Sequence, residues 1–194
     1  HKTAIDDYDK YLNSGGTPIA GSRAIGEAGC ELTWKFIFPT STMPKFVYYI
    51  GRYDIWDHTH HDTLPFQYGM RQYNTKPYDN NMWFWNRLFD ESNSRNDDFI
   101  NEIINTGRTL LSFIQKENFR IMKTCSQTTF EGLKCIVCNC HYPNSLMFKS
   151  VWDNTKYDAM IGFRWIRNTW AFSMFTDKYG IDVSSICKKY GGGG

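Results

Sequence analysis

The spacing of apolar residues changes once along the chain, and this change constrains the fold more than any other feature. From Arg95 to Lys123 apolar residues recur at helical intervals, and only Gly107 weakens the predicted helix. Beyond Glu131-Gly132 the spacing becomes that of strands, which we predict at 133–140, 157–165 and 169–176. Helices followed by alternating strands and helices predict an α/β fold with two lobes.

The same helical spacing predicts further helices, at 2–12, 21–36, 46–51, 64–71, 81–89, 145–152 and 183–190. We therefore expect a mostly helical lobe over 1–94, a connecting helix over 95–130 and a smaller α/β lobe with a mixed sheet over 131–194. Most of the seven tryptophans, such as Trp34, Trp83 and Trp152, stand at helical spacing, which is typical of core residues.

The composition excludes several classes of protein. A content of 41% hydrophobic residues is ample for a buried core. The net charge of +2 argues against a large duplex-binding surface, so any nucleic-acid ligand should be short. No run reaches the length of a membrane span, and we expect neither a signal peptide nor membrane contact. Free cysteines favour a cytoplasmic location.

The segment from Cys135 to His141 contains three cysteines and a histidine at spacing that resembles a zinc site. However, the sequence has no second Cys-x-x-Cys or His-x-x-x-His pair to complete four ligands. The segment also fits a β-strand that places Ile136 and Cys138 on one face. The strand interpretation is favoured over zinc.

Four consecutive glycines follow an amphipathic segment at the end of the sequence. Such a run suits neither a helix nor a packed strand, because each glycine gives up maximal backbone entropy and buries no side chain. One interpretation is a flexible linker or tail. The other is a surface of bare amides that binds a phosphate. Upstream, Asn168 to Phe175 predicts an aromatic-rich strand, and Asp182 is an N-cap candidate for the last helix.

This C-terminal stretch, WAFSMFTDKYGIDVSSICKKYGGGG, resembles the end of the DHHA1 substrate-binding domain of DHH-superfamily phosphoesterases. In that family a W-x-x-S strand, a short helix beginning D-V-S and a glycine run grip the phosphate or terminal nucleotide of the substrate. The resemblance implies that the substrate-binding residues are Ser173, Gly191, Gly192, Gly193 and Gly194. The family often has an arginine two residues after the serine, where this chain has Phe175. That change removes a bidentate phosphate contact and offers a ring that can stack on a base.

Two other segments are similar to the same superfamily. His1-Lys2-Thr3-Ala4 matches the residues from the second histidine of the Asp-His-His motif onward, so His1 resembles that histidine. Tyr48 to Trp56, YYIGRYDIW, resembles the oligoribonuclease branch, in which the aspartate of this motif is the last metal ligand. The resemblance implies that Asp54 ligates a two-metal centre of Mn²⁺, or Mg²⁺, and that His1 contacts the phosphoryl group. The other ligands are then expected upstream of residue 1.

The segment Asp57 to Asp62, Asp-His-Thr-His-His-Asp, offers a rival metal site, since three histidines and two aspartates have a metal-binding composition. Adjacent residues on a short polar loop are expected to point in diverging directions. A solvated loop near the mouth of the active site is therefore the favoured interpretation. Within it, His58 is a candidate for substrate binding.

Taken with these resemblances, the sequence predicts a metal-dependent phosphodiesterase that cleaves very short RNA or dinucleotides and binds the mononucleotide product. A phosphatase of small phosphorylated metabolites is the nearest enzymatic alternative. A noncatalytic nucleotide-binding fragment is the alternative from a different class, because Asp54 is the single metal ligand that the resemblance identifies in this chain. The 194-residue chain alone is accordingly expected to be inactive, and a homodimer is a further expectation.

Overall fold

The computed structural model of the protein describes residues 2–77, 82–90 and 95–193, and within these ranges it shows a mixed α/β fold, as expected. The helices of the N-terminal part are α1 (Lys2–Asn13), α2 (Gly29–Ile37), α3 (Lys45–Asp54), α4 (Thr63–Met70), α5 (Trp83–Phe89) and α6 (Arg95–Met122). The C-terminal part forms β1 (Ser126–Phe130), β2 (Leu133–Asn139), a 3₁₀ helix (Ser145–Ser150), β3 (Ala159–Ile166), β4 (Thr169–Phe175) and α7 (Val183–Lys189). No helix in the described ranges combines the length and apolar character needed to cross a membrane.

Internal contacts divide the chain into two compact units, His1–Leu111 and Ser112–Gly194. Helix α6 continues through this division, so its N-terminal part belongs to the first unit and its last turns belong to the second. The domain bounds at residues 94 and 130, which rest on the change in apolar spacing, stay a prediction.

The core of the first unit is built from the apolar stripes of its helices. One face of each amphipathic helix turns inward, because burying apolar side chains removes them from water. The fully buried apolar side chains among the described residues of this unit are Phe46, Phe66, Phe84, Leu88, Phe99 and Ile103. Trp34 packs against this cluster, but the expectation of a core position for Trp83 is wrong, since that side chain is 53% exposed.

Helices α4 and α6 approach each other so closely that only glycine fits at the crossing. A Cβ atom added at Gly107 would lie 2.6 Å from the carbonyl carbon of Pro65 and 2.8 Å from the amide nitrogen of Gly69. One added at Gly69 would lie 2.8 Å from the carbonyl carbon of Ile103. Gly107, which only weakens the helix by propensity, therefore permits backbone-to-backbone packing.

Helix α2 begins at Gly29 rather than at Gly21, so the predicted helix at 21–36 is wrong over its first eight residues. Gly21 and Gly26 have φ angles of 151° and 87°, outside the range of a right-handed helix. The Glu31 carboxylate accepts a hydrogen bond of 2.8 Å from the Ala28 amide, which fixes the start of the helix at this later position.

In the second unit the described strands form a four-stranded sheet in the order β1-β2-β3-β4. The β1-β2 and β3-β4 pairs are antiparallel and the central β2-β3 pair is parallel. Both hairpins turn through two residues with positive φ, Glu131-Gly132 and Arg167-Asn168. Such turns match the right-handed twist of the flanking strands. The sequence prediction missed β1.

The sheet carries apolar clusters on both faces. On one face Ile136, Cys138 and Met160 pack with Met122 of α6 and Phe148 of the 3₁₀ helix. On the other face Cys135, Ala159 and Ile161 are buried, and Val183 of α7 packs against them. The alternation predicted for β2 is therefore confirmed, and the last helix covers part of the second face.

Candidate functional site

The turn that ends helix α3 carries the first candidate residue, Asp54. The amide of Asp57 donates to the Arg52 carbonyl over 2.7 Å, and the amide of Trp56 donates to the Tyr53 carbonyl over 3.1 Å. This pair of hydrogen bonds is a Schellman motif, in which the position occupied by Trp56 adopts the left-handed conformation. Trp56 does so with φ of 62°. Asp54 is thus the last helical residue before a sharp, well-defined turn.

The Asp54 side chain is exposed and makes no hydrogen bond or ion pair with residues that the structure describes. The Asp54 carboxylate also acts on the Cys30 thiol. Burial raises the pKa of Cys30 most, and the negative charges of Glu31 and Asp54 raise it further. A carboxylate held at a fixed helix end, with no partner among the described residues, can ligate a hard divalent cation.

Arg52, two residues earlier on α3, ties the turn to helix α2. Its Nε donates to Glu31 Oε1 over 3.2 Å and its Nη2 donates to Glu31 Oε2, while Nη1 donates to Asp57 Oδ2 over 3.3 Å. The Glu31 side chain is 5% exposed and that of Arg52 is 15% exposed. The neighbouring carboxylates raise the pKa of Arg52, with the Glu31 hydrogen bonds as the largest cause. Sequence reasoning missed this network, although Glu31 and Arg52 are an acid and a base on adjacent helices.

Gly51 makes the network possible. A Cβ atom added there would lie 2.6 Å from both Cδ and Cγ of Glu31. The buried carboxylate therefore occupies the space that any other residue at position 51 would fill.

The loop after the turn is also ordered by local contacts. The Asp57 carboxylate accepts hydrogen bonds from the hydroxyl and the amide of Thr59, at 2.7 and 3.0 Å, and these bonds, with Arg52, lower the pKa of Asp57. The His58 ring lies 4.5 Å from that of Trp56 and 5.9 Å from that of Tyr53, centroid to centroid. His58 is thus held among aromatic rings, and its role in substrate binding stays a prediction.

The end of the loop differs from the expectation of diverging side chains. One ligand atom from each of His60, His61 and Asp62 lies within 4.8 Å of the others. The chain turns tightly here, because the Thr63 amide donates to the His60 carbonyl and the Asp62 amide donates to His60 Nδ1. Three consecutive side chains are therefore brought together just where α4 begins.

In the second unit the predicted substrate-binding residues lie in two places. Phe175 packs against the cluster around Met160, and Ser173, two residues earlier on β4, lies on the same face. Helix α7 packs on the opposite face through Val183, and its N-cap Asp182 accepts from the amides of Ser184 and Ser185, as predicted.

The glycine run begins beside the β1-β2 turn. Lys189 Nζ donates to Glu131 Oε2 over 2.7 Å, and the Tyr190 hydroxyl donates to the same carboxylate. The amide of Gly192 donates to the Cys187 carbonyl over 2.8 Å, which ends α7. Gly191, Gly192 and Gly193 thus follow a helix that packs on one face of the sheet, whereas Ser173 and Phe175 lie on the other face. His1 and Gly194 lie outside the described residues.

Aromatic side chains of β3 and of the predicted aromatic-rich strand, β4, cover the free part of the second face. Trp165, Trp170 and Phe172 are each more than half exposed, and Phe163 lies among them. Ring centroids are 5.2 Å apart for Trp165 and Trp170 and 6.1 Å apart for Phe163 and Phe172. In the sequence, aromatic residues at alternate positions on both sides of Arg167-Asn168 indicate a hairpin with one aromatic face. We call these four rings the aromatic surface.

The cysteines do not form the zinc site considered from the sequence. Cys135 lies on one face of β2, whereas Cys138 and Cys140 lie in the cluster on the other. Burial is the main cause that raises the pKa of the Cys140 thiol to about 11, followed by the neighbouring Cys138 thiol. Buried protonated thiols behave as small apolar side chains.

Comparison with known proteins matches the chain to a viral protein. The chain is 26% identical over 210 residues to uncharacterized protein R106 of Acanthamoeba polyphaga mimivirus. The match covers 100% of this chain but 44% of the viral protein, so the chain spans less than half the length of that relative. No protein-family model matches the chain, and no solved structure matches it.

Proposed function

We propose that this chain forms part of a metal-dependent phosphodiesterase of the DHH superfamily that acts on short oligoribonucleotides or dinucleotides. The first unit would supply the remainder of the metal domain, and the second would supply the DHHA1 substrate-binding domain. The observation that carries the proposal is Asp54: an exposed carboxylate, fixed at the end of α3, in the motif position of a metal ligand.

The donor chemistry of Asp54 fits the proposed Mn²⁺ or Mg²⁺, since hard divalent ions prefer carboxylate oxygens. A two-metal centre needs several such ligands, and the described residues bring no cluster of metal-binding side chains to Asp54. The proposal therefore requires further ligands from other polypeptide, beginning with Asp-His immediately before His1. Two ions held there would supply an activated hydroxide and would offset charge on the phosphodiester.

Residues of the first unit would hold Asp54 in position during turnover. The Arg52 side chain joins Glu31 of α2 to Asp57 of the loop, so the turn after Asp54 is fixed on two sides. A fixed ligand needs little reorganisation when substrate binds, which favours the transition state over the ground state.

The aromatic surface supports a nucleic-acid substrate of a few nucleotides. The hairpin 159–176 contains no acidic residue and carries Arg167 in its turn, so its charge suits phosphates. Base stacking on exposed aromatic rings does not depend on sequence. With Phe175 packed against the core, Trp170 and Phe172 replace it as the candidate stacking residues, whereas Ser173 and the glycine run remain predicted phosphate contacts.

The test uses a longer form of the protein that includes the preceding polypeptide. Asp54→Asn should lower kcat for a dinucleotide by about 100-fold or more with little change in KM, because the lost charge matters most in the transition state. Asp9→Asn, an exposed aspartate on α1, is the matched control. Near wild-type hydrolysis by Asp54→Asn with Mn²⁺ would refute the assignment.

A binding arm of the same experiment tests the substrate class. Trp170→Ala should weaken binding of a short oligoribonucleotide about tenfold, since stacking contributes ~1–3 kcal/mol per base. Tyr179→Ala, which removes a fully exposed ring outside the aromatic surface, should change nothing. Equal affinities in both variants would favour a phosphatase of small phosphorylated metabolites.

A noncatalytic nucleotide-binding role is the second candidate, and one observation favours it. Within the described ranges Asp54 belongs to no group of three metal-binding side chains. The 194-residue chain alone is then expected to bind nucleotides without hydrolysing them. The six cysteines are free, as the prediction of a cytoplasmic location assumed. The cytoplasmic location and the homodimer both remain predictions.

A further inference from the structure

The ligand atoms of His60, His61 and Asp62 lie close enough together for one metal ion to reach all three after a small movement. All three lie within 4.8 Å of one another, and His61 Nε2 is 3.3 Å from Asp62 Oδ2. Tetrahedral Zn²⁺ with bonds of about 2.0–2.2 Å separates neighbouring ligand atoms by roughly 3.3 Å. One edge of the tetrahedron is therefore already present. The third donor needs to approach by at most about 1.5 Å, the difference between these two separations.

We propose that His60, His61 and Asp62 bind a divalent transition-metal ion of the Zn²⁺ type, at a site separate from the metal centre proposed at Asp54. Two imidazoles and one carboxylate suit Zn²⁺ and its neighbours, whereas Mg²⁺ and Mn²⁺ prefer sites made of oxygen atoms. The two metal sites therefore differ in ligand chemistry as well as in residues.

The carboxylate of the site is held by a residue from another helix. Arg108 Nη2 of α6 donates to Asp62 Oδ1 over 2.6 Å, which leaves Oδ2 directed to His61. The Asp62 side chain is 14% exposed, so this orientation is protected from water. A second group that fixes the free oxygen of a ligating carboxylate is typical of metal sites in proteins.

The imidazoles are restrained to different degrees. The His60 ring lies 5.2 Å from the Tyr49 ring and 5.9 Å from the Tyr48 ring, and it stacks on His61 at 4.7 Å. His61 itself is 78% exposed. With three protein ligands, a fourth coordination position remains, and the exposure of His61 would leave it open to solvent. That position can take water or an anionic ligand.

The test is titration of the untagged, reduced chain with Co²⁺, followed by absorption spectroscopy, and with Zn²⁺, followed by calorimetry. We expect one ion per chain, with visible d–d bands of four- or five-coordinate Co²⁺. Coordination by nitrogen and oxygen gives no thiolate-to-metal charge-transfer band, so binding at the cysteines is distinguishable. Such a band, or an absence of binding at millimolar metal, overturns the proposal.

Variants assign the ion to its ligands. His61→Ala removes an exposed side chain, so the fold should be retained, and affinity should fall at least about tenfold. His141→Ala, an exposed histidine of the second unit, should bind as the wild type does. Asp54→Asn should also leave the Co²⁺ spectrum unchanged, which separates this site from the proposed catalytic centre. Unchanged affinity in His61→Ala overturns the proposal, whatever the outcome for Asp54.

Discussion

Replacing Gly107 by alanine separates two physical effects that have opposite signs. Helix propensity alone predicts that Gly107→Ala stabilises the protein by about 1 kcal/mol, because glycine is the poorer helix former. The structure predicts the reverse. The added methyl group would lie 2.6 Å from the Pro65 carbonyl carbon and 2.8 Å from the Gly69 amide nitrogen, closer than non-bonded atoms approach.

The size of the destabilisation depends on which atoms must move. Overpacking a close contact costs about 1–3 kcal/mol, and here the obstructing atoms are backbone atoms of α4 that cannot rotate away. We take about 3 kcal/mol for the overlap and subtract about 1 kcal/mol for propensity. The net loss is therefore about 2 kcal/mol, or roughly 4–8 °C in Tm for a chain of this size.

Urea and thermal unfolding, followed by far-ultraviolet circular dichroism, measure this difference. The matched control is Gly29→Ala at the start of α2, where an added Cβ atom meets nothing within 4 Å. It should be neutral or slightly stabilising. If Gly107→Ala were as stable as the wild type, or more stable, the close crossing of α4 and α6 would be refuted. The same result would refute the position of α6 that places Arg108 next to Asp62.

Two further predictions concern buried polar groups. Arg52→Met should cost about 3–5 kcal/mol in urea unfolding, because it leaves the buried Glu31 carboxylate unpaired, whereas Lys45→Met at the exposed Lys45–Asp97 pair should cost less than about 1 kcal/mol. Similar losses of unfolding free energy in both variants would contradict the burial of the Arg52–Glu31 ion pair. The pKa of Cys140 is raised from 9.0 to about 11, so its contribution to stability is full below about pH 9 and is lost as pH rises through 11. The unfolding free energy of Cys140→Ala should therefore fall less steeply between pH 9 and pH 11 than that of the wild type. An equal slope in the two proteins would contradict the raised pKa of Cys140.

Periodicity predicted most helices and the strands that have a buried face, because burial imposes a regular apolar spacing. The long helix expected from Arg95 to Lys123 ends one residue earlier, at Met122. Strand β1 was missed because its residues Ser126 to Thr129 are exposed, and an exposed edge strand shows no apolar alternation. The helix start near Gly21 was wrong because two backbone angles, invisible in apolar spacing, prevent it.

The candidate site was predictable only where local sequence determines geometry. The helix predicted at 46–51 continues to Asp54, which is the last residue of α3. The convergence of His60, His61 and Asp62 depends instead on a tight turn and on Arg108, which lies 46 positions away in sequence. No short-range pattern contains that contact. The aromatic surface likewise depends on the register that pairs Trp165 with Trp170.

Trp56 links the aromatic contacts of the loop to the position of Asp54. A left-handed backbone costs a residue other than glycine about 1–2 kcal/mol, and a tryptophan is rare at this position of the Schellman motif. Its ring contacts with His58 and Tyr53, at 4.5 and 5.8 Å, contribute about 0.5–1.5 kcal/mol each and so offset the strain. Since these rings pack on the turn that fixes Asp54, we expect the loss of the His58 ring to loosen the end of α3.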